Sequence, residues 1–366
     1  MTMTTIGFIG FGLIGGSIAK SIRKAHPDFK LAAYSRSKDS LEKALMDHTI
    51  DEIWDQVDHS FSCCDYIFLC TPVTCNVGYL NQLKPLIKKG CIITDVGSTK
   101  GNIHEAVKNL SMEDCFIGGH PMAGSERTGY EASSEILLEN AYYVITPTPL
   151  NKPDDVKNFQ NLVTDMGAIP LILDSKQHDQ VVAAISHLPH IIASALVNLV
   201  RDSDSKEETM KQVAAGGFKD ITRIASSSPV MWEQICMENN KNLAMILRRY
   251  IQSLNDILVQ IECAHSTALR RFFEESKEYR NSIQDRYSGP LPKEHSIYCD
   301  IADKTGAIAT IATTLSVHQI NIKNIGIIHN REFEEGVLKI EFYEENACQE
   351  AIRILSSCRY QIYPRT

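Results

Sequence analysis

A glycine-rich turn near the start of the chain restricts the fold more than any other feature of the sequence. Residues 5–9 (TIGFI) are typical of a strand, residues 10–15 read GFGLIG, and a helical pattern follows. The spacing GxGxxG between a strand and a helix is the fingerprint of a dinucleotide-binding fold, in which glycines let the backbone turn tightly and approach a pyrophosphate. The alternative is a glycine-rich turn without a ligand. The expected cofactor-binding residues are Gly10, Gly12, Leu13, Ile14 and Gly15.

The residues after the second predicted strand, 31–34, bear on the type of dinucleotide. A site that prefers NAD usually has an acidic residue about 20 positions after the glycines, where it accepts a hydrogen bond from the ribose 2′-hydroxyl. This chain has Ser35 and Arg36 at that place. A hydroxyl and a guanidinium can both donate to a 2′-phosphate, so the sequence favours NADP over NAD. The alternative is that Arg36 is an ordinary solvated loop residue.

Strand and helix patterns alternate as far as residue 173, which predicts a parallel, doubly wound sheet. The further strands are expected at 66–70, 91–96, 141–146 and 169–173, and the helices at 75–88, 102–110 and 154–166. Ligands bind beyond the carboxyl ends of such strands, so Thr71 and Pro72 are expected at the cofactor. The segment 97–100 (GSTK) is expected to bring the hydroxyl of Ser98 and the ammonium of Lys100 to the nicotinamide. The alternative is that Ser98 or Thr99 caps the following helix.

A single histidine lies among small residues in the segment 118–126 (GGHPMAGSE), directly after an apolar, strand-like run. Small residues let a substrate and a cofactor approach the backbone closely. Histidine is the side chain best suited to exchange a proton near neutral pH. The segment therefore predicts that His120 is the catalytic base of a nicotinamide-dependent dehydrogenase.

From residue 174 onward the pattern is almost wholly helical. Helices are predicted over 176–186 and 189–200, with a break or kink at Pro189. His187 and His190 are three residues apart and neighbour one another on the helix surface. They are candidates for the site, and the alternative is that both are core or surface histidines.

Two cations follow on an otherwise apolar stretch, with Lys219 and Arg223 one helical turn apart. Such a pair is costly unless an anion meets it, and an arginine can bind a carboxylate through two parallel hydrogen bonds. The alternative is an ion pair with Asp220 or Glu233. The amphipathic region 239–276 has enough apolar surface to form a subunit interface.

The last 70 or so residues follow a linker that reads SGPLP at 288–292. Strands are expected at 296–301, from 320, at 336–343 and at 360–363, and helices at 307–317 and 347–358. This βαββαβ order is that of a small ferredoxin-like module.

Composition narrows the possible partners and the compartment. The chain has 366 residues, a formal net charge of -8 and 11 scattered cysteines. The charge argues against nucleic acid as the main partner, and no apolar run reaches the roughly 18–20 residues of a membrane helix. No targeting segment is recognisable, and the cysteines are typical of free thiols rather than disulfides or a zinc site. We expect a cytoplasmic enzyme that binds no metal, nucleic acid or membrane.

Taken together, the motifs resemble those of the prephenate dehydrogenases, the tyrosine-pathway enzymes, with a C-terminal ACT regulatory domain. The likeness covers nearly the whole chain and rests on GLIGGS at 12–17, DVGSTK at 95–100, GHPMAGSE at 119–126, HLPH at 187–190 and FKDITRIA at 218–225. The resemblance implies NAD(P)-dependent oxidative decarboxylation of prephenate to 4-hydroxyphenylpyruvate in L-tyrosine biosynthesis.

The resemblance also implies roles for individual residues. His120 accepts the proton of the ring hydroxyl, and Ser98 forms a hydrogen bond near that hydroxyl. Arg223 binds a substrate carboxylate with help from His190 and Lys219. The remaining candidates for the substrate site are Glu126, which gates or polarises it, and Ser125, His187 and Asp220.

Four segments follow from these inferences: a dinucleotide-binding domain (1–173), a helical substrate and dimerisation domain (174–285), a linker (286–294) and an ACT domain (295–366). The resemblance implies feedback by L-tyrosine, with Asp303, Gly306 and Asn321 as candidate contacts. Arogenate dehydrogenase remains an alternative, favoured by an acid near the substrate's ammonium group. A β-hydroxyacid dehydrogenase would need a catalytic lysine in the helical domain, and a non-catalytic amino-acid sensor would not need an intact site.

Overall fold

Five parallel strands in the N-terminal half build the first sheet. The structure is a computed structural model that describes residues 3–125, 127–283, 295–301, 304–328 and 336–364. The strands are β1 (Thr5–Ile9), β2 (Lys30–Tyr34), β3 (Glu52–Ile53), β4 (Tyr66–Leu69) and β5 (Ile92–Asp95), in the spatial order β3-β2-β1-β4-β5. The helices that follow them are α1 (Leu13–Ala25), α2 (Lys38–Met46), α3 (Val73–Leu83) and α4 (Gly101–Asn109). The strand order reverses between β1 and β4, which is where such sheets bind their ligands.

Successive side chains of β1 enter two different apolar clusters. Phe8 belongs to the cluster that also includes residues of α1, and Ile9 belongs to the cluster that includes residues of α3 and α4. The sheet is therefore covered on both faces, as the predicted doubly wound fold requires. The short strand β3 and the helix α2 were not predicted from the sequence.

A second sheet corrects the expectation of a single parallel one. It contains β6 (Ile117–Pro121), β7 (Tyr142–Pro147) and β8 (Ile169–Ile172), with α5 (Pro153–Asp165) between the last two. β6 and β7 are antiparallel, whereas β7 and β8 are parallel. Between β6 and β7 the described chain forms a short 3-10 turn, Tyr130–Ala132, and no crossover helix that would return it in the same direction. A parallel bridge between Ile93 and Phe116 joins the two sheets.

One continuous helical segment replaces the two helices predicted around Pro189. It consists of α6 (Ser175–Val182), a π-helical turn (Ala183–His187) and α7 (Leu188–Ser203). The N–H of Leu188 donates to the carbonyl of Ala183, five residues back. A proline inside a regular α-helix loses one hydrogen bond and clashes with the carbonyl four residues before it. The helix therefore does not break at Pro189; the expected break or kink is replaced by a π-helical turn just before the proline, which accommodates the ring.

The same segment is long and apolar enough to cross a membrane when judged by length and composition alone. It has 29 residues and a mean hydropathy of 1.5 in its most apolar window, and it is the one such helix in the described parts of the chain. The expectation that no apolar run is long enough does not hold for it. Core helices of soluble proteins meet the same criterion, although only 28% of this window is buried in the single chain, and the first turns of the helix carry Asp179, which bonds the backbone at the start of α4.

The remaining helices of the first unit are α8 (Thr209–Val213), α9 (Gly216–Thr222), α10 (Pro229–Glu238), α11 (Asn240–Glu262) and α12 (Ser266–Ser282). The region predicted as helical over 239–276 is interrupted between α11 and α12, where Ala264 has a φ of 53°. Both helices expose large apolar side chains, among them Leu254, Leu258 and Phe273.

The chain divides into two compact units, Met1–Ser282 and Ile283–Thr366. The second contains β9 (His295–Ile301), α13 (Ala307–Val317), β10 (Ile322–Ile328), β11 (Gly336–Phe342), α14 (Glu345–Ser357) and β12 (Ile362–Pro364). The βαββαβ order is as predicted, and the strands form an antiparallel sheet in the order β10-β11-β9-β12. The predicted linker, 286–294, lies outside the described residues.

Candidate active site

The glycine-rich turn has the shape that a bound pyrophosphate needs. Gly10 has a φ of 87°, and its N–H donates to the carbonyl of Tyr34 at 2.8 Å. A Cβ atom on Gly10 would lie 2.7 Å from Thr71, and one on Gly15 would lie 2.8 Å from the carbonyl oxygen of Gly10. At Gly12, by contrast, no described atom lies within 4 Å of the corresponding position. The turn thus packs tightly against the end of β4 but leaves free space at Gly12. That space lies in front of the N–H groups that begin α1, so these residues fit a dinucleotide.

The other predicted cofactor residues lie at the ends of the strands beside this turn. Thr71 and Pro72 follow β4, and the hydroxyl of Thr71 donates to the amide oxygen of Asn76 at 2.6 Å. Ser35 and Arg36 follow β2, where Ser35 is half-buried and Arg36 is exposed. Within the described parts of the chain, no group of three or more His, Cys, Asp and Glu side chains is arranged to hold a metal ion.

The predicted catalytic histidine is the first of three side chains joined by hydrogen bonds. His120 lies on β6, and its Nδ1 is 2.8 Å from Nε2 of His178 on α6. Nδ1 of His178 is in turn 2.8 Å from Oδ1 of Asp179. A carboxylate can only accept, so Nδ1 of His178 carries a proton and its Nε2 accepts from Nδ1–H of His120. Nε2 of His120 is left with a free lone pair, as a general base requires.

Asp179 itself is fixed by the start of α4. Its Oδ1 accepts the N–H of Lys100 and its Oδ2 accepts the N–H of Gly101, both at 2.8 Å. Burial is the largest single influence and raises the pKa of Asp179, but the hydrogen bond from His178 and these two backbone bonds lower it overall. The helix is therefore capped from α6, whereas the hydroxyl of Thr99, one of the two caps considered from the sequence, donates to Glu238 at 2.6 Å.

Burial keeps His120 in its neutral form. Burial lowers the pKa of His120 well below its ordinary value, and the neighbouring His178, Lys100 and His187 lower it further. Protonating the ring would place a charge in a site where desolvation and nearby cations oppose it. His120 is consequently ready to accept a proton at neutral pH.

Lys100 is not where the sequence predicted. Its side chain is fully buried, and its ammonium forms an ion pair with the equally buried carboxylate of Asp95 at the end of β5. Burial lowers the pKa of Lys100, and Asp95 opposes that effect. The ammonium thus lies beneath the loop 97–100 and does not reach toward a nicotinamide, while Ser98 on the same loop is half-buried.

A second group of predicted residues meets between α7 and α10. The ring of His190 stacks on Trp232 with centroids 3.5 Å apart, and its Nδ1–H donates to the carbonyl of Ser186 at 3.0 Å. Burial is the main cause that lowers the pKa of His190, and the charge of Arg223 lowers it further, which places the guanidinium nearby. His190 and Trp232 line a cavity of about 390 Å³ together with Ile224.

His187 is buried beside this group. The amide nitrogen of Asn239 is 3.2 Å from Nδ1 of His187 and can only donate, so the proton of the neutral ring is on Nε2. That Nε2 is buried without a hydrogen-bond partner among the described residues. Burial lowers the pKa of His187 to about 4.

In the part of the chain that the structure describes, the other candidates for the substrate site form no hydrogen bond with His120 or with the ring of His190. Lys219 and Asp220 are exposed on α9, and the helix ends at Thr222, so Arg223 begins a 3-10 turn and does not continue the predicted helix. Ser125 is exposed and its hydroxyl accepts the N–H of Arg127 at 3.1 Å. Glu126 lies outside the described residues.

Sequence reasoning missed His178 and Asp95 and did not see the role of Asp179. A histidine followed by an aspartate in the first turns of a helix gives no periodic signal, because the contact partner of His178 is 58 residues away. Asp95 and Lys100 belong to a motif that was quoted, DVGSTK, but nothing in the motif tells that two of its charges pair with each other.

The chain is similar to known proteins over most of its length. A family model described as the nucleotide-binding domain of prephenate dehydrogenase matches residues 18–171, and one described as the dimerization domain of prephenate dehydrogenase matches residues 174–275. A prephenate dehydrogenase from Bacillus subtilis (strain 168) is 36% identical over 344 residues, which is 93% of each chain.

Two solved structures are also similar to the chain. Prephenate dehydrogenase from A. aeolicus, crystallised in complex with hydroxyphenyl propionate and NAD+, has a TM-score of 0.73 and 31% identity, and the match covers 78% of this chain and 99% of that one. Synechocystis arogenate dehydrogenase has a TM-score of 0.69 and 30% identity, over 76% of this chain and 99% of that one. The chain belongs to the prephenate dehydrogenase family.

Proposed function

We propose that the chain catalyses the NAD(P)-dependent oxidative decarboxylation of prephenate to 4-hydroxyphenylpyruvate in L-tyrosine biosynthesis. The observation that carries this proposal is the hydrogen-bonded series His120–His178–Asp179, which leaves a free lone pair on Nε2 of a half-buried, neutral histidine. The similarity to the B. subtilis prephenate dehydrogenase, over nearly the whole of both chains, supports the choice of reaction.

His120 acts on the ring hydroxyl of the substrate. Bound nicotinamide supplies the acceptor for the hydride that leaves the ring carbon bearing that hydroxyl. His120 takes the hydroxyl proton as the carbonyl forms, and Ser98 donates a hydrogen bond to the same oxygen. Loss of the ring carboxylate as CO2 leaves its electron pair in the ring, which becomes aromatic. His120 then returns the proton to the phenolate oxygen, so the histidine ends the cycle neutral.

Arg223 binds one of the two substrate carboxylates, assisted by Lys219 and by His190, whose ring must be protonated on Nε2 to donate to the carboxylate because its Nδ1–H already donates to Ser186. A dianion needs cationic and hydrogen-bonding partners in a partly desolvated site, and a guanidinium suits a carboxylate. The proximity of Arg223 to His190, and the stacking of His190 on Trp232, support this placement. Ser125, Glu126, His187 and Asp220 complete the proposed substrate site.

The proposal is tested by assaying purified protein with prephenate or arogenate, each with NAD and NADP, at the absorbance of the reduced nicotinamide. Turnover with prephenate is the expected result. A preference for arogenate is the second candidate, because a Synechocystis arogenate dehydrogenase is among the similar structures. Absence of turnover with either substrate would contradict the proposed reaction.

Cofactor preference is proposed to depend on Arg36, which is exposed at the end of β2. Arg36→Ala should raise the Kd for NADP by about 10-fold, the size of a lost charge-assisted hydrogen bond, and change that for NAD by less than about 3-fold. Both values can be measured by titrating the protein with each dinucleotide. Lys38→Ala, which removes a nearby cation that pairs with Asp55, is the matched control. Equal changes for NAD and NADP would contradict a contact with the 2′-phosphate.

The antiparallel βαββαβ unit is proposed to be an ACT domain that binds L-tyrosine. The order of its elements supports this assignment. Gly306 precedes α13 with a φ of 87°, and Asn321 precedes β10. Both remain candidate contacts, while Asp303 lies outside the described residues.

Removing the second unit should separate regulation from catalysis. A chain that ends at Ser282 keeps both apolar clusters of the nucleotide-binding sheet, so it should retain at least about a third of kcat and lose inhibition by L-tyrosine. Initial rates with and without L-tyrosine measure both. Inhibition that persists and is competitive with prephenate would locate tyrosine at the active site instead.

The homodimer is proposed to form through α11 and α12. Leu254, Leu258 and Phe273 are 47%, 49% and 64% exposed in the single chain, which is unusual for large apolar side chains on two long helices. The description of the matching family model as a dimerization domain supports this role.

A further inference from the structure

One buried carboxylate joins the loop that carries Ser98 and the strand β6 that carries His120. Oδ2 of Asp95 accepts the N–H of Gly97 at 2.9 Å, and Gly97 directly precedes Ser98. Oδ1 of the same carboxylate accepts the N–H of Gly119 at 3.2 Å, and Gly119 directly precedes His120. The two oxygens of Asp95 therefore hold the backbone just before Ser98 and just before His120, one oxygen for each segment.

Neither Gly97 nor Gly119 has room for a side chain beside Asp95. A Cβ atom on Gly119 would lie 2.7 Å from the carbonyl oxygen of Asp95, and one on Gly97 would lie 2.9 Å from its Oδ2. Glycine at both positions thus lets the two N–H groups reach a single carboxylate.

Lys100 neutralises that carboxylate from within the protein. Its ammonium pairs with Oδ2 of Asp95, and neither side chain has any exposed surface. A buried carboxylate that lost this partner would be strongly destabilising, whereas loss of both charges together would not leave an uncompensated ion. The backbone N–H of Lys100 also donates to Asp179, the last member of the series that begins at His120. Lys100 is therefore connected to His120 through Asp95 and also through Asp179.

We propose that Asp95, with Lys100 as its counter-ion, is a positioning residue that sets the distance between Ser98 and His120. The proposal rests on the proposed roles of those two residues. Neither Asp95 nor Lys100 is assigned contact with substrate or cofactor. Their effect is on geometry, and a displacement of about 1 Å between reacting groups can lower a rate about 100-fold.

The chemistry of the carboxylate makes the proposal specific. An aspartate offers an acceptor oxygen to each segment, while an asparagine offers one oxygen and an NH2 group that cannot accept. Asparagine at this position can therefore hold only one of the two segments. Pairing that change with removal of the ammonium avoids an unpaired buried charge.

The test compares the unmodified enzyme with the double variant Asp95→Asn/Lys100→Met. We expect kcat with prephenate to fall about 30-fold, while the Kd for the dinucleotide, from titration in the absence of substrate, stays within about 3-fold. His120 faces His178, His187 and Lys100, and removing the Lys100 charge relieves one cause of its lowered pKa. The acidic limb of the profile of kcat/KM against pH should therefore move to higher pH.

Lys30→Met/Glu52→Gln, which deletes an ion pair between β2 and β3, is the control and should keep kcat unchanged.

A second variant covers the case in which the double variant does not fold. Asp95→Glu keeps the charge and both oxygens but extends the side chain by one methylene, so it should fold and still lower kcat about 10-fold. The positioning role would be overturned if the double variant retained kcat within about 3-fold with its pH profile unmoved, or if Asp95→Glu retained kcat within about 3-fold. If the unmodified protein does not turn over prephenate, the proposed function fails instead, and the two outcomes are distinguishable.

Discussion

Replacing His120 with asparagine is expected to lower kcat with prephenate by about 10³-fold, within the range that general base catalysis contributes. The side-chain amide can still donate to Nε2 of His178, as Nδ1–H of His120 does at 2.8 Å, so the supporting series should keep its arrangement. What asparagine lacks is the lone pair on Nε2. Cofactor affinity should stay within about 3-fold, because the glycine-rich turn is separate from this side chain.

His104→Asn is the matched control for that experiment. His104 is also largely buried, with Nε2 2.9 Å from the hydroxyl of Thr146, but it is not part of the series from His120 to Asp179. Its replacement should leave kcat within about 5-fold. If His120→Asn lowered kcat no more than this control, His120 would not be the base.

The pH dependence of the unmodified enzyme follows from the same histidine. Burial lowers the pKa of His120, and the active form is the neutral one. Protonation removes the base only when the pH falls through this lowered pKa. The profile of kcat/KM should therefore remain level through pH 6.5, the ordinary value for histidine, and decline only well below it. A decline centred near pH 6.5 or above would contradict the environment described for His120.

The parts of the site that the sequence predicted are those built from neighbours in the chain. The glycine-rich turn needs only a strand, three glycines and a helix in succession, and all its determinants lie within residues 5–25. His120 could be located because it stands alone among small residues after a strand-like run. Such local patterns report backbone geometry directly.

The support behind His120 could not be predicted in the same way. His178 reaches it because α6 packs against the start of α4, a contact between segments almost 80 residues apart. Hydrophobic periodicity states which face of a helix is buried but not which polar side chain meets which. Lys100 illustrates the reverse error, since a charged residue near a ligand edge was expected to face the ligand and instead neutralises Asp95.

Two features of the fold were missed because they depend on the connections between elements. The rule that proline breaks a helix assumes α-helical spacing, and the π-helical turn at Ala183–His187 removes that assumption. The alternation of strands and helices predicted a single parallel sheet, but the connection from β6 to β7 lacks a crossover helix in the described chain and reverses direction. Both cases depend on how a connection is made, which a strand or helix pattern does not contain.

The second large effect is expected for Asp179→Asn, which should lower kcat about 100-fold although the residue touches no reacting atom. Asp179 accepts the N–H of Lys100, the N–H of Gly101 and Nδ1–H of His178. An amide at this place turns one acceptor into a donor. In a Ser-His-Asp triad the same exchange lowers kcat by about 10⁴ because the histidine is held in the wrong tautomer.

The tautomer argument gives the sign of the effect. If the new NH2 donates to Nδ1 of His178, the proton of that ring moves to Nε2, which must then donate to His120. Nδ1 of His120 becomes the acceptor and its Nε2 carries the proton, so the base is already occupied. Asp174→Asn is the matched control, because Asp174 caps α6 by accepting N–H groups of Lys176 and Gln177 but has no bond to His178. It should cost at most about 1 kcal/mol of stability and leave kcat within about 3-fold.

A double-mutant cycle decides whether His178 and Asp179 act as one unit. His178→Gln alone interrupts the series at its middle member, so Asp179 then has no route to His120 except through the backbone of α4. The kcat of His178→Gln/Asp179→Asn should therefore be no lower than that of the more impaired single variant, since residues that act together show strongly non-additive losses. Two results would mean that Asp179 stabilises the start of α4 and does not orient the base. One is a double variant whose loss of kcat is the product of the two single losses, and the other is a kcat for Asp179→Asn that matches that of Asp174→Asn.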